Sequence, residues 1–317
     1  MDGSAAHRRH RLADRLWVGA TRLSGIAVLA LLLAILVALA IGALPALRRF
    51  GAGFLTTQAW NPVTEEFGAV AAVFGTLVTS ALALLLAVPV GFGIALFVTE
   101  ICPGWLKRPI GTAIELLAAI PSIVYGMWGL FVLAPRLSES VQPWLTEHLG
   151  VLPGIGALFQ GPPMGIGMLT AGLILAIMIL PFVAAVMRDV FETVPATLKE
   201  SAYALGATTW EVVRRIVVPH TRVGALGGIL LGLGRALGET MAVTFVIGNA
   251  HAVHASLLMP GTTISATLAN EFTEATGEIH TSALIALGLV LFVITTIVLA
   301  LSRFMLRRLA RGEGLRA

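Results

Sequence analysis

The apolar positions of this chain fall into long unbroken runs. They show neither the alternation of half-buried strands nor the one-sided stripes of soluble helices. A helix needs roughly 20 apolar residues to cross a bilayer, and six stretches qualify. The first is residues 23–44, closed by Pro45. The second lies within residues 69–98, long for an upright span, and fits a tilted helix bent at Pro89. The third, 110–134, carries Glu115 near one end and Pro121 in its middle, and the fourth, 165–187, contains Pro181. The fifth is 224–248 and the sixth 283–301. Prolines inside spans are tolerated where neighbouring helices or hydroxyl side chains, here Ser122, re-satisfy the freed carbonyls. The pattern predicts an all-α, polytopic membrane protein with six transmembrane helices.

Composition agrees: 57% of residues are hydrophobic, 12% are charged, and the mean hydropathy is +0.91. Cys102 is the only cysteine, which excludes an intrachain disulfide and a cysteine metal cluster. The net charge of +4 says little by itself; the placement of Lys and Arg carries the information. Apart from Arg48, Arg49, Arg136 and Arg235, every basic residue falls in 1–22, 99–109, 188–222 or after Leu301. These segments alternate along the chain, so the positive-inside rule puts them, and both termini, in the cytoplasm. The chain divides into a basic tail at 1–22, a membrane body at 23–305 and a second basic tail at 306–317. Ala38-Leu39-Ala40 resembles a signal-peptide cleavage site, but the preceding apolar run exceeds an h-region of about 7–15 residues and is expected to be retained as a span.

Inside the fifth run, Leu231 to Thr244 reads LGLGRALGETMAVT. Arg235 and Glu239 sit at its centre, where an ionisable group costs roughly 3 kcal/mol by insertion measurements. Spaced i, i+4, they are expected to share one helix face, either as an internal pair or along an anion path. The glycines give G-x-x-x-G steps at 224–228, 228–232 and 234–238. Small residues let helices approach closely, within this chain or against a partner.

Residues 194–220 read VPATLKESAYALGATTWEVVRRIVVPH and are too polar for a span. They predict two short helices: Pro195 in the first turn, Gly206 as its left-handed terminator, Thr208 and Glu211 as a capping box for the second, and Pro219 as its stop. Of the outer loops, 137–164 is turn-rich, and 249–282 contains residues 262–275, where Ile264, Leu268 and Phe272 share a face and predict a short surface helix. His251 and His254 form H-x-x-H without an evident third ligand and are read as surface histidines.

The pattern Glu200-x-Ala202-x3-Gly206-x9-Ile216-x2-Pro219 resembles the EAA loop of ATP-binding-cassette importer permeases, with Ser201 where that motif often has Ala. With it stand Gly75-Thr76-Leu77-Val78-Thr79-Ser80, Ile120 to Gly126 (IPSIVYG), Ala176 to Pro181 (AIMILP), the segment Arg235 to Thr244, and Gly248-Asn249. Over roughly residues 55–305 the chain resembles the PstC family of phosphate-importer permeases. The resemblance implies a type I ABC importer permease fold and a complex with a PstA-like partner permease, a PstB-like ATPase dimer and a PstS-like phosphate-binding protein. It further implies that Glu200, Ala202, Gly206, Ile216 and Pro219 form the ATPase-coupling segment. No cofactor is expected on this chain, ATP and Mg being used by the ATPase. The only lysines, Lys107 and Lys199, follow no phosphate-cradling G-x-x-x-x-G run.

On a phosphate path, Arg235 offers a planar, permanently charged fork to the oxygens. Glu239 can accept the proton that phosphate keeps near neutral pH and sulfate lacks. Glu115 ranks below both. The alternatives are a permease for sulfate or molybdate, the PstA-role subunit, a stand-alone secondary transporter, for which no inverted repeat is evident, and a membrane enzyme, for which the scattered histidines supply no constellation.

Overall fold

The computed structural model describes the backbone of residues 3–314 and the side chains of residues 14–308. The tail assignments at 1–2 and 315–317 lie outside the described residues. Ten helices carry the fold: α1 (Gly3–Phe50), α2 (Val70–Leu96), α3 (Gly104–Ala118), α4 (Ser122–His148), α5 (Met168–Glu192), α6 (Ala196–Ala204), α7 (Thr209–Leu237), α8 (Met241–Thr244), α9 (Ile264–Glu271) and α10 (Glu278–Gly314). A two-stranded antiparallel hairpin, β1 (Trp60–Asn61) with β2 (Glu66–Phe67), follows α1. Five helical segments are long and apolar enough to cross a membrane, six where the bent pair α3–α4 is counted as one span.

Boundaries depart from expectation where proline was read as a stop. Pro45 lies inside α1, which runs on to Phe50. Pro219 lies near the start of the main part of α7, which continues to Leu237. Just before it the helix widens into a π turn, with Val218 N–H reaching Val213 O. The same device precedes Pro135 and Pro143 within α4, where Ala134 N–H reaches Gly129 O and Gln142 N–H reaches Leu137 O. An i→i−5 bond displaces the carbonyl that the pyrrolidine ring would otherwise strike, so the helix passes the proline.

The third span breaks. Helices α3 and α4 meet at Ala119–Pro121 with an 85° bend. The phenol of Tyr125 donates to Leu117 O at 2.8 Å and serves one carbonyl freed by the break. Ser122, expected in that role, makes no such bond among the described residues.

Helices α2 and α5 pack side by side, with α7 against both, around a core in which Ala83, Ala87, Ala171, Ala236 and Ala242 interleave with larger side chains such as Ile174, Met178, Ile179 and Ile247. Small side chains suit a lipid-embedded core, where close backbone approach replaces the hydrophobic drive. The glycine steps of α7 divide. A Cβ on Gly224, Gly228 or Gly232 would come within 2.6–2.9 Å of Val190, Val186 or Val183 of α5, so this stripe packs within the chain. Gly227 and Gly234 have open space beside them.

At the end opposite the basic loops, α1, the hairpin, α9 and α10 share a second core containing Ala46, Phe54, Phe67, Ile264 and Leu287. Helix α9 is not a surface helix: Ile264 to Thr267 are buried, and Thr263 caps it by accepting from Ala266 N–H at 3.1 Å. Nor is His251 a surface residue. Its Nε2 donates to Glu271 Oε1 at 2.8 Å, while His280 Nε2 and Trp60 Nε1 donate to Glu271 Oε2 at 3.0 and 2.7 Å.

Candidate functional site

Helix α7 ends at Leu237, with Gly238 as its cap, and Glu239 N–H reaches back to Ala236 O at 3.3 Å. Residues 238–240 are not helical, and α8 starts afresh at Met241. The expectation that Arg235 and Glu239 share one helix face is therefore overturned, because the backbone turns between them. Glu239 folds forward instead and accepts from Ala242 N–H at 3.3 Å, in the manner of a cap on α8. The internal Arg–Glu pair is absent among the described residues.

Arg235 is exposed on the free surface of α7, in line with Leu231 and Gly238. It stands in the last turn of the helix, where unsatisfied carbonyls carry negative partial charge that favours a cation. It lies close enough to the Tyr125 phenol, just past the break in the other interrupted span, to act on it electrostatically. The two interrupted spans touch directly: a Cβ on Gly126 would come within 2.9–3.1 Å of Phe245, Ala242 and Met241. Non-helical backbone at membrane depth is tolerated only inside protein or beside a watery cavity. The geometry thus gathers a guanidinium without a carboxylate partner among the described residues, a phenol and two backbone breaks.

At the basic end, α6 closes with Gly206 at φ +84°, Gly206 N–H on Tyr203 O at 2.9 Å and Ala207 N–H on Ala202 O at 3.1 Å. This is the Schellman pattern, and glycine supplies the left-handed residue it needs. The capping box forms as the spacing predicts: Glu211 N–H donates to Thr208 Oγ1 at 3.3 Å, and Thr208 N–H to Glu211 Oε2 at 3.0 Å. Ala202, Ala207 and Ile216 pack against a core under the loop that contains Met187, Phe191, Val212 and Val217. Glu200 and Pro219 are exposed. So are Leu205 at 89%, which lines a cleft of about 380 Å³ with Ala202, Gly206, Glu211 and Ile216, and Trp210 at 66%, which lines a separate cleft with Leu96, Phe97 and Val213.

Sequence reasoning missed the brace behind this loop. Lys199 Nζ donates to Glu100 Oε1 at 2.6 Å, and the Glu100 side chain is only 4% exposed. The pair ties α6 to the π turn Phe97–Ile101 that follows α2, and nothing in a spacing of 99 residues announces it. Glu115 pairs with Arg188 of α5 at 3.1 Å and stands apart from the Arg235 face.

Residues 87–311 match the family described as binding-protein-dependent transport system inner membrane component. The phosphate transport system permease protein PstC of Mesorhizobium japonicum is 59% identical over 310 residues, covering 98% of this chain and 95% of that protein. The Haemophilus influenzae PstC is 56% identical over 301 residues, 95% of each. The Mycobacterium tuberculosis PstC 1 is 39% identical over 291 residues, 86% of each. In fold, the chain is similar to a bacterial ABC transporter that imports alginate (TM-score 0.58, 19% identity, 93% of this chain and 99% of that one). It is similar also to the inward-facing MetNI methionine ABC transporter (TM-score 0.56, 16% identity, 79% and 99%). A bundle of apolar helices, interrupted spans that meet near Arg235, and an exposed two-helix loop at the basic end are thus joined by relatedness over almost the whole length, and the chain belongs to the PstC family of ABC-importer permeases, multi-pass membrane proteins that transport rather than catalyse.

Proposed function

We propose that this chain is the membrane permease subunit of an ATP-driven inorganic phosphate importer in the inner membrane of a prokaryote. It forms the translocation path with a PstA-like partner permease. A PstB-like ATPase dimer binds the 194–220 loop and uses ATP and Mg, and a PstS-like binding protein delivers phosphate from the opposite side. The observation that carries this reading is Arg235, exposed on an apolar span without a carboxylate partner among the described residues. A permanent cation at that depth is stabilised by an anion that passes it. The second Glu239 oxygen remains available for a phosphate O–H while the first holds Ala242, which disfavours sulfate. Exposed Leu205 and Trp210 supply apolar anchors for the ATPase.

The test is phosphate uptake by Arg235→Gln in membranes with matched levels of assembled complex and sulfate as competitor. Losing a charge-assisted contact of about 1.5–3 kcal/mol lowers transport by roughly tenfold or more. Full uptake by Arg235→Gln removes Arg235 from the path.

A further inference from the structure

A second polar site lies at the basic end, apart from the coupling cleft. Where α3 crosses the end of α5, a cavity of about 240 Å³ is lined by Lys107, Arg108, Thr112, Glu115, Arg188 and Glu192. Gly111 makes the room: a Cβ there would sit 2.7 Å from Arg188 Nη1. Arg188 is anchored from behind, with Nη2 on Glu115 Oε1 at 3.1 Å and on Asp189 Oδ1 at 2.9 Å, and Nε on Asp189 Oδ1 at 3.2 Å. Its Nη1 makes no bond among the described residues. Lys107 Nζ is held over the site by Thr99 O at 2.8 Å, with two N–H groups to spare. Arg108, Thr112 and Glu192 have no partner among the described residues.

Donors of two guanidinium groups, an ammonium and a hydroxyl therefore converge with free carboxylate oxygens on Glu115 and Glu192. Such a near-balanced set is poorly matched to a bare anion. It suits a phosphate that brings a proton donor of its own, the oxygens going to Arg108, Lys107 and Arg188 and the donor to Glu192. The surroundings are those of a membrane interface. Trp105, 77% exposed, shares a stripe of α3 with Arg108, Thr112 and Glu115 at i, i+3, i+7 and i+10, and Ile101 and Leu116 are exposed nearby. Trp marks the headgroup level, and basic pockets between helices at that level take lipid headgroups.

We infer that this cavity binds a phosphate group carrying its own hydrogen-bond donor, supplied by a phosphoethanolamine headgroup or by protonated inorganic phosphate. The inference does not rest on the role of Arg235. The test uses the assembled importer carrying Arg235→Gln, so that the path does not contribute, with and without Arg108→Gln and Glu192→Gln. Both added positions are exposed and unpartnered, so assembly on size-exclusion should not change.

One arm reconstitutes the complex in vesicles of phosphatidylethanolamine and phosphatidylcholine, re-extracts it, and counts retained lipid by native mass spectrometry. The other measures binding of radiolabelled inorganic phosphate to the delipidated complex. Loss of retained phosphatidylethanolamine by roughly tenfold in Arg108→Gln identifies the lipid as the source, and a corresponding loss of phosphate binding identifies the free ion. Equal retention of phosphatidylcholine, whose headgroup has no hydrogen-bond donor, or no effect of Glu192→Gln, overturns the donor requirement. No change in either arm overturns the site.

Discussion

An arginine on an apolar helix face needs some compensating field, and at Arg235 the helix end provides part of it. The last-turn carbonyls of α7 point toward the break at 238–240 and favour a cation there. Because Glu239 is engaged with Ala242, removing the arginine leaves no orphaned carboxylate. Arg235→Gln should therefore unfold within about 0.5 kcal/mol of the parent, as surface changes do. Arg235→Lys keeps the charge but loses the two-pronged geometry, so uptake should stay poor with assembly intact. Glu239→Gln retains an acceptor for Ala242 N–H and should cost little stability, while admitting more sulfate. Glu239→Ala removes the cap and should cost about 1 kcal/mol. Paired thermal unfolding and competitive uptake separate these outcomes; equal destabilisation by Gln and Ala at position 239 would refute the capping role. The sequence showed that Arg235 and Glu239 are special, since charge at that depth is rare. It did not show that the helix stops between them, because Gly234 and Gly238 also read as a small-residue packing step.

At the scale of elements, glycine and proline punctuate this chain in ways that spacing partly reveals. Gly206 was legible because a short helix opened by Pro195 and followed by Gly and a capping box is a local pattern. Its Cβ would meet nothing within 4 Å, so a substitution acts through φ +84° alone. Gly206→Val should therefore weaken co-purification of the ATPase, with Gly206→Asn intermediate, since Asn enters the left-handed region more readily. Equal recovery of the ATPase with all three side chains would sink that assignment. The α7 glycines make the opposite case. Gly228→Val places its Cβ 2.9 Å from Val186, and the chain should fail to accumulate, whereas Gly227→Ala should be silent. Quantitative membrane immunoblots distinguish them. The π turns before Pro135, Pro143 and Pro219 were not legible, because a proline in a sequence reads as a stop unless the widened turn ahead of it is known. The break at Pro121 was hidden for the converse reason: the apolar run is continuous there.

Over the whole molecule, the helical core is held at both ends by polar clusters assembled from distant segments. At the basic end these are Glu100–Lys199 and Glu115–Arg188. At the opposite end Glu271 alone joins the hairpin, the 249–263 loop, α9 and α10 through Trp60, His251 and His280. Trp60 stacks on His251 at 5.0 Å and Phe67 on His280 at 5.1 Å, which fixes both rings. Six spans and their order follow from local hydropathy, but a hub whose members are 211 residues apart does not. Burial pushes the Glu271 carboxyl upward, and the donors on His251, Trp60 and His280 outweigh it, leaving it below its ordinary value. A carboxylate depressed on folding contributes stability that is complete above its unfolded pKa, about 4.3, and lost as the pH falls through its folded one. Glu271→Gln turns an acceptor oxygen into an amide N–H facing a donor, and should cost about 2 kcal/mol at pH 7. It should also remove this acid-dependent contribution, so the gap between variant and parent should hold from about pH 6 down to about 4.3 and narrow as the pH falls further, toward about 3. The measurement is thermal unfolding of the purified complex across that range. A constant gap at every pH would show that the carboxylate charge has no part in holding this end of the molecule, and a variant indistinguishable from the parent would show that the hub itself does not.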